Sequence, residues 1–237
     1  REFTKMVSEK SGVRIPDIAI PPELLSQHSM DVSVVTGQLG LADPFFAGES
    51  LIDRLVVNAK LDNQILDITV PELAGSRGKI SGSVNMRLND TLPITAVKIE
   101  ANDVPLGITA GADAIDKLPT HSLQAVFEGT GLSLREVLSS LNGALELHGG
   151  KGVVDDIGLN MAMGSFTDQL VELLLPSINT DPDVTIECTV LALQAHHGVL
   201  TLDPGFVMRT ARMDMEAKGT IDLESENIRI RFSNNAR

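Results

Sequence analysis

The sequence predicts a mainly β protein: one large, curved antiparallel sheet of long strands, groove-like or partly packed on itself, with two or three short helices. Three observations carry that prediction. Apolar and polar residues alternate with period two from end to end, helical periodicity is confined to short segments, and the apolar residues are almost all aliphatic. With 237 residues, 43% of them hydrophobic, the chain is long enough for a substantial core, and a compact fold of this size buries roughly 70% of its unfolded surface. It has no Trp, no Tyr and seven Phe, so packing rests on Leu, Ile, Val and Met.

In chain order, a brief turn of helix is expected at Pro22-Glu23-Leu24-Leu25. Leu55, Val57, Ala59 and Leu61 alternate with Val56, Asn58 and Lys60, and Leu66, Ile68 and Val70 alternate with Asp67 and Thr69. Ile80, Val84, Met86 and Leu88 face away from Ser81, Ser83, Asn85 and Arg87, with Gly82 inside the apolar series. Further strands are expected over 95–101, 122–128, 144–148, 157–163, 184–193 and 199–202. The clearest pattern closes the chain. Met213, Met215, Ala217, Ile221 and Leu223, with Gly219 among them, share one face of a strand whose other face carries Asp214, Glu216, Lys218, Thr220 and Asp222. Across a turn at 224–227, Ile228, Ile230 and Phe232 continue the apolar face, with Arg229 and Arg231 opposite. An eleven-residue strand is roughly 36 Å long at about 3.3 Å per residue.

Helical signals are few. Over 134–142, Ser133 and Glu136 fit a capping box, Leu134, Val137, Leu138 and Leu141 form a stripe, and Gly143 is the expected stop. Over 166–175, Leu170, Val171, Leu174 and Leu175 are available for burial before Pro176. Two helices of ~10 residues are each about 15 Å long, too little to cover one face of so many strands. A second sheet, the same sheet curled on itself, or a bound apolar ligand must therefore cover it.

A weak internal repeat relates Ile65 to Pro71 followed by Ile80 to Met86 with Val199 to Pro204 followed by Ala217 to Leu223. Each copy reads as a strand ending at a proline, then a strand with glycine two residues before a branched aliphatic. The repeat divides the chain into a β-rich half over 1–148, with the helix near 134–142, and a β-rich half over 149–237, with the helix near 166–175, or the two form one continuous domain.

Composition excludes several functions. A net charge of −13 and the lack of Trp and Tyr oppose nucleic acid, and the charge also opposes adsorption to an anionic membrane. No window reaches the roughly 20 apolar residues of a membrane span, and the chain as given is expected to be soluble, with an anchoring or targeting segment absent before Arg1. Cys188, the only cysteine, can form no internal disulfide and is read as a small buried side chain in the run Val184, Ile186, Cys188, Val190.

Chemistry is sought and mostly not found. His28, His121 and His148 are isolated, and His196-His197 reads as a turn pair rather than a chelating face. Asp155-Asp156 and Asp181-Pro182-Asp183 read as solvated turns, and Gly149-Gly150-Lys151-Gly152 as a connection rather than a phosphate cradle. No catalytic residue, metal ligand or cofactor is expected, and the chain is read as not an enzyme. Convergence of several of Asp155, Asp156, His196 and His197 in one pocket is what would reopen that reading. Met161, Met163, Met208, Met213 and Met215 suit adaptable apolar contacts.

Three stretches carry a resemblance. Gly129-Thr-Gly-Leu-Ser-Leu-Arg-Glu-Val-Leu-Ser-Ser-Leu-Asn-Gly143 leading into Ala144-Leu-Glu-Leu147 resembles the C-terminal region of AsmA-like proteins. Gly198 to Pro204 followed by Gly219 to Ile230 resembles that family's closing hairpin, and Leu73 to Gly82 is similar to its repeating strand pairs. The resemblance implies a periplasm-facing envelope protein, tethered to the inner membrane by an N-terminal anchor that this chain lacks. It also implies a curled sheet whose apolar groove carries phospholipid in outer-membrane biogenesis, with other envelope proteins as partners. Together with the one-sided sheet it makes a lipid-binding or lipid-bridging segment the leading expectation, and a non-enzymatic scaffold for outer-membrane protein assembly the alternative. The strongest apolar-face positions, taken as groove candidates for a phospholipid or other acyl-chain ligand, are Leu66, Ile68, Val84, Met86, Leu200, Leu202, Met213, Met215, Ile221, Leu223, Ile228 and Ile230.

Overall fold

A computed structural model describes residues 3–10, 15–26, 29–40, 51–75, 77–89, 92–105, 116–155 and 183–237. Its strands are β1 (Phe3–Lys10), β2 (Met30–Thr36), β3 (Leu39–Gly40), β4 (Leu51–Ile52), β5 (Arg54–Asp62), β6 (Ile65–Ala74), β7 (Lys79–Asn89), β8 (Leu92–Pro105), β9 (Thr120–Thr130), β10 (Asn142–Gly149), β11 (Gly152–Asp155), β12 (Asp183–His196), β13 (Val199–Thr210), β14 (Met213–Asp222) and β15 (Asn227–Ala236). The helices are α1 (Glu23–Ser26) and α2 (Leu134–Ser139). The expected strand over 157–163 and helix over 166–175, with Met161 and Met163, lie outside the described residues, as does His28.

The large antiparallel sheet is present. Thirteen strands form it in the order β1-β15-β14-β13-β12-β10-β9-β8-β7-β6-β5-β2, with β11 beside β12, while β3 and β4 pair separately. The boundary expected at 148/149 falls at the end of β10, whose ladder to β9 on one side and β12 on the other carries the sheet across it.

Residues opposite each other in a ladder share a face, so the register strings one apolar surface across the strands. Gly82 pairs with Ile99, Ile99 with Ala125, Ala125 with Leu145 and Leu145 with Leu193. Further along, Leu202 pairs with Gly219 and Gly219 with Ile230. This dry face runs from β2, at Val32 and Val34, to β15, while Asp67, Lys98, Glu146, Arg209, Asp214 and Arg229 lie on the wet one.

Hairpin chemistry fixes the register. Asn63-Gln64 between β5 and β6 and His197-Gly198 between β12 and β13 have positive φ at both residues (49° and 66°, 47° and 73°), the twist a two-residue turn needs. The turn between β14 and β15 occupies Leu223 to Glu226, so the eleven-residue strand is shortened and Leu223 leaves the strand face.

Both prolines of the repeat were expected to end their strands; instead each lies inside one. Pro71 sits in a bulge of β6 between Val70 and Leu73, and Pro204 in a bulge of β13 between Leu202 and Phe206. Proline is tolerated there because a bulged residue makes no ladder bond. Gly205, at φ 86°, lets β13 absorb Asp203-Pro204-Gly205 and run on to Thr210, well past the expected end. The repeat thus has a structural counterpart: Val70 opposes Gly82 as Leu202 opposes Gly219.

Helix α2 stops at Ser139, short of the expected end. Ser133 Oγ accepts from the Glu136 amide at 3.3 Å, but Glu136 Oε2 takes the Leu132 amide at 2.7 Å instead of that of Ser133. Ser140 Oγ accepts from the Thr130 amide and donates to the Thr130 carbonyl, tying the helix end to β9, so Asn142 and Gly143 open β10 rather than close the helix.

Candidate functional site

The dry face is filled unequally. Over β13 to β15, Leu202, Met208, Met215, Ala217, Ile228, Ile230 and Phe232 are at most 8% exposed, and Phe206 and Ile221 pack against them. Over β6 to β8 the same face is half-buried, Ile99 is 39% exposed, and a trough of about 400 Å³ opens. Its walls are Ile68, Val70 and Leu73 from β6, Ile80 and Val84 from β7, and Val97 and Ile99 from β8, with Gly82 leaving a gap between them. Ser81, Ser83 and Lys98 border it through their main chain, because their side chains alternate onto the wet face.

The repeat explains the difference. The row Leu73, Ile80, Ala101 of β6 to β8 corresponds to the row Phe206, Ala217, Phe232 of β13 to β15. Two phenyl rings occupy in the second copy the place that an isobutyl and a methyl group hold in the first. The first copy therefore keeps an open, aliphatic floor.

Helix α2 packs on β9 at the end of the sheet where β8 begins. A Cβ on Gly129 would collide with the Val137 carbonyl, and one on Gly198 with the Ser139 carbonyl, so the helix lies close across the dry face and the tip of the β12-β13 hairpin. Arg135 pairs with Glu226 at 3.0 Å and donates to the Ile15 carbonyl, while Ile20 and Leu134 exchange main-chain bonds with Leu132 and Ile18. A second cavity of about 490 Å³ opens here, lined by Leu92, Thr130, Gly131, Arg135, Glu136, Ser139, Ser140 and Glu224.

The opposite end is packed. Pro105 and Pro119 are fully buried, Leu118 and Val104 are 2% and 4% exposed, and His121 is 7% exposed. Burial pushes the His121 imidazole below its ordinary pKa, against a smaller opposite pull from the Pro119 and Val104 carbonyls.

Of the groove candidates, Ile68 and Val84 line the trough, with Leu66 and Met86 half-buried beside it toward α2. Leu200, Leu202, Met213, Met215, Ile221, Ile228 and Ile230 lie across β13 to β15, where Leu202, Met215, Ile228 and Ile230 are buried, and Leu223 sits in the closing turn. The two sets are separated in the sheet by β8, β9, β10 and β12. Sequence reasoning missed Val70, Leu73, Ile80, Val97 and Ile99 as trough walls; Val70, Ile80, Val97 and Ile99 stood in expected strands, Leu73 is brought onto the same face by the bulge at Pro71, and the signal left unused was the glycine that makes room between them.

Among the described residues no group of three or more His, Cys, Asp or Glu could hold a metal ion. His196 ends β12, its ring edge-to-face with His197 at 4.3 Å, both exposed. Gly150 and Lys151 link β10 to β11, which run end to end along β12. Cys188 is half-buried, not buried: the bulge at Glu187 flips the alternation, placing Cys188 opposite Arg209 on the wet face and Ile186 on the dry one. The Asp156, Asp181 and Pro182 turns lie outside the described residues. No helix among the described residues is long and apolar enough to cross a membrane.

No protein-family model, curated protein or solved structure matches the chain.

Proposed function

We propose that the chain binds the hydrocarbon part of a lipid in the trough over β6 to β8, as a lipid-binding or lipid-bridging segment of a periplasm-facing, AsmA-like protein of phospholipid transport and outer-membrane biogenesis. The observation that supports this most directly is that one copy of the repeat is filled by Phe206 and Phe232 while the other leaves an aliphatic trough of about 400 Å³. Each methylene buried there gains about 0.8 kcal/mol, so ~10 carbons recover on the order of 8 kcal/mol before ordering costs. Walls without a polar clamp favour tails of many kinds and leave them free to slide along the face.

Native mass spectrometry of the purified chain, with extraction and identification of lipid from the same sample, tests the reading. Phospholipid retained at defined stoichiometry supports it; a stable, lipid-free protein that ignores an added fluorescent fatty acid overturns it. A scaffold role is favoured by one observation, the outer strand β2, whose Met30, Val32 and Val34 are 41%, 43% and 46% exposed on the dry face. A strand of an envelope protein added to that edge would cover them.

A further inference from the structure

The packed end of the dry face holds an imidazole that the lipid reading does not use. His121 is 7% exposed, its Nδ1 is buried without a hydrogen-bond partner, and its ring leans over Gly149 so closely that a Cβ there would touch Cδ2 and Nε2. Gly149 shares its row with His121 on β9 and Thr189 on β12, and Val104 completes the row on β8. Leu118 and Pro119 close over this row, with Pro119 seated so tightly on Gly152 that a Cβ there would collide with the proline nitrogen.

Among the described residues no carboxylate faces the ring to balance its charge. Among the described side chains, the charged or titratable ones nearest the ring are Asp103 on β8, Asp116 and Lys117 before Pro119, Glu146, His148 and Lys151 flanking Gly149, and Glu187 on β12, all exposed, with half-buried Glu100 on β8 and Cys188 on β12 placed by the register on the wet face. None of them contributes to the titration of His121, which burial dominates. Asp116 is engaged outward, 3.9 Å from Arg77. The Pro119 and Val104 carbonyls favour an imidazolium by less than burial disfavours it, so in this place it would be a buried charge without a counter-ion, relieved by bringing the ring to water.

The geometry points to a proton-operated latch: protonation of His121 ejects the ring from the row of Val104, Gly149 and Thr189, and releases the Leu118-Pro119 plug from the end of the dry face. The latch is a property of the fold and does not rest on the lipid reading. The sign follows from the neutral ring being the buried form. The closed plug is fully stable above the ordinary histidine value of 6.5 and weakens as pH falls below it.

Hydrogen exchange of the whole chain, corrected for the intrinsic pH dependence of the chemistry, tests the latch. Between about pH 7.5 and pH 5, opening of 104–105, 116–121 and 149–152 should rise up to about tenfold per pH unit, while β13 to β15 stay protected. The variant His121→Phe should keep the plug closed and lose the pH step, and His121→Gln serves where phenylalanine does not fit. Acid-induced exchange spread evenly over the sheet, no acid response at all in the unaltered protein, or a step that survives in either folded variant each overturns the proposal.

Discussion

Leu92 and Glu224 line one cavity although β9, β10, β12 and β13 stand between the strand that Leu92 opens and the one that Glu224 follows. Five steps of about 4.8 Å would hold them roughly 24 Å apart in a flat sheet. The sheet must therefore curl at the α2 end, with the dry face on the inside of the bend. Within this arc, strand twist and the bulges between Ala192 and Gln194 of β12 and at Pro204 of β13 favour the bending. A concave dry face can hold a tail that a flat one would leave half in water.

The clamp on that curl is Arg135, which joins α2 to Glu226 at 3.0 Å and to the Ile15 carbonyl at 2.6 Å. Arg135→Ala should lower stability by about 1–2 kcal/mol, mostly through the lost main-chain contact, because partly exposed ion pairs contribute about 1 kcal/mol or less. A double-mutant cycle with Glu226→Gln, read by urea unfolding, should give a coupling below about 1 kcal/mol. A coupling near zero would leave the curl to the backbone alone.

Gly198 is fixed twice over. Its φ of 73° belongs to the hairpin turn, and a Cβ would strike the Ser139 carbonyl at the end of α2. Gly198→Ala should cost about 1–3 kcal/mol and expose the α2 amides to exchange before the rest of the sheet. Uniform exchange would mean that α2 does not depend on this hairpin tip.

Asp222 organises the closing turn, its carboxylate accepting from the Glu224 and Ser225 amides at 3.0 Å each. Those bonds, the one from Ser225 foremost, hold its pKa below the usual aspartate value of 3.8. A depressed carboxylate stabilises the fold above the unfolded pKa and loses that contribution as pH falls through the folded one. The difference in unfolding midpoint between the native chain and Asp222→Ala should therefore be present at about pH 6 and fade at about pH 2.5. A difference independent of pH would assign the turn to its backbone conformation.

Much of this fold was legible because period-two alternation reports burial on one face, and the strands from Leu55 to Leu61 and from Ile80 to Leu88 appear nearly where that pattern put them. The alternation failed where the ladder slips. Asp203-Pro204-Gly205 has turn composition but passes through β13 as a bulge, and the bulge at Glu187 turned Cys188 outward. For the site, alternation names dry-face positions without saying which are filled. Leu202 and Ile68 look alike in sequence; they differ because Phe206 and Phe232 stand near one, and the gap at Gly82 lies near the other.

That difference separates binding from folding. Val84→Phe places a ring in a trough of about 400 Å³, so it should leave stability within about 1.5 kcal/mol of the native chain while weakening a fluorescent fatty acid at least about tenfold. Phe232→Ala, in the filled copy, should cost about 3–5 kcal/mol and leave affinity per folded molecule nearly unchanged. Leu202→Asp buries an unpaired charge where the native side chain is 8% exposed and should unfold the chain outright. Thermal unfolding and lipid titration on the same three variants give the answer together. If Val84→Phe binds lipid as the native chain does, the tail lies elsewhere; if Phe232→Ala opens a second binding stoichiometry, the aromatic pair is what limits the protein to one trough.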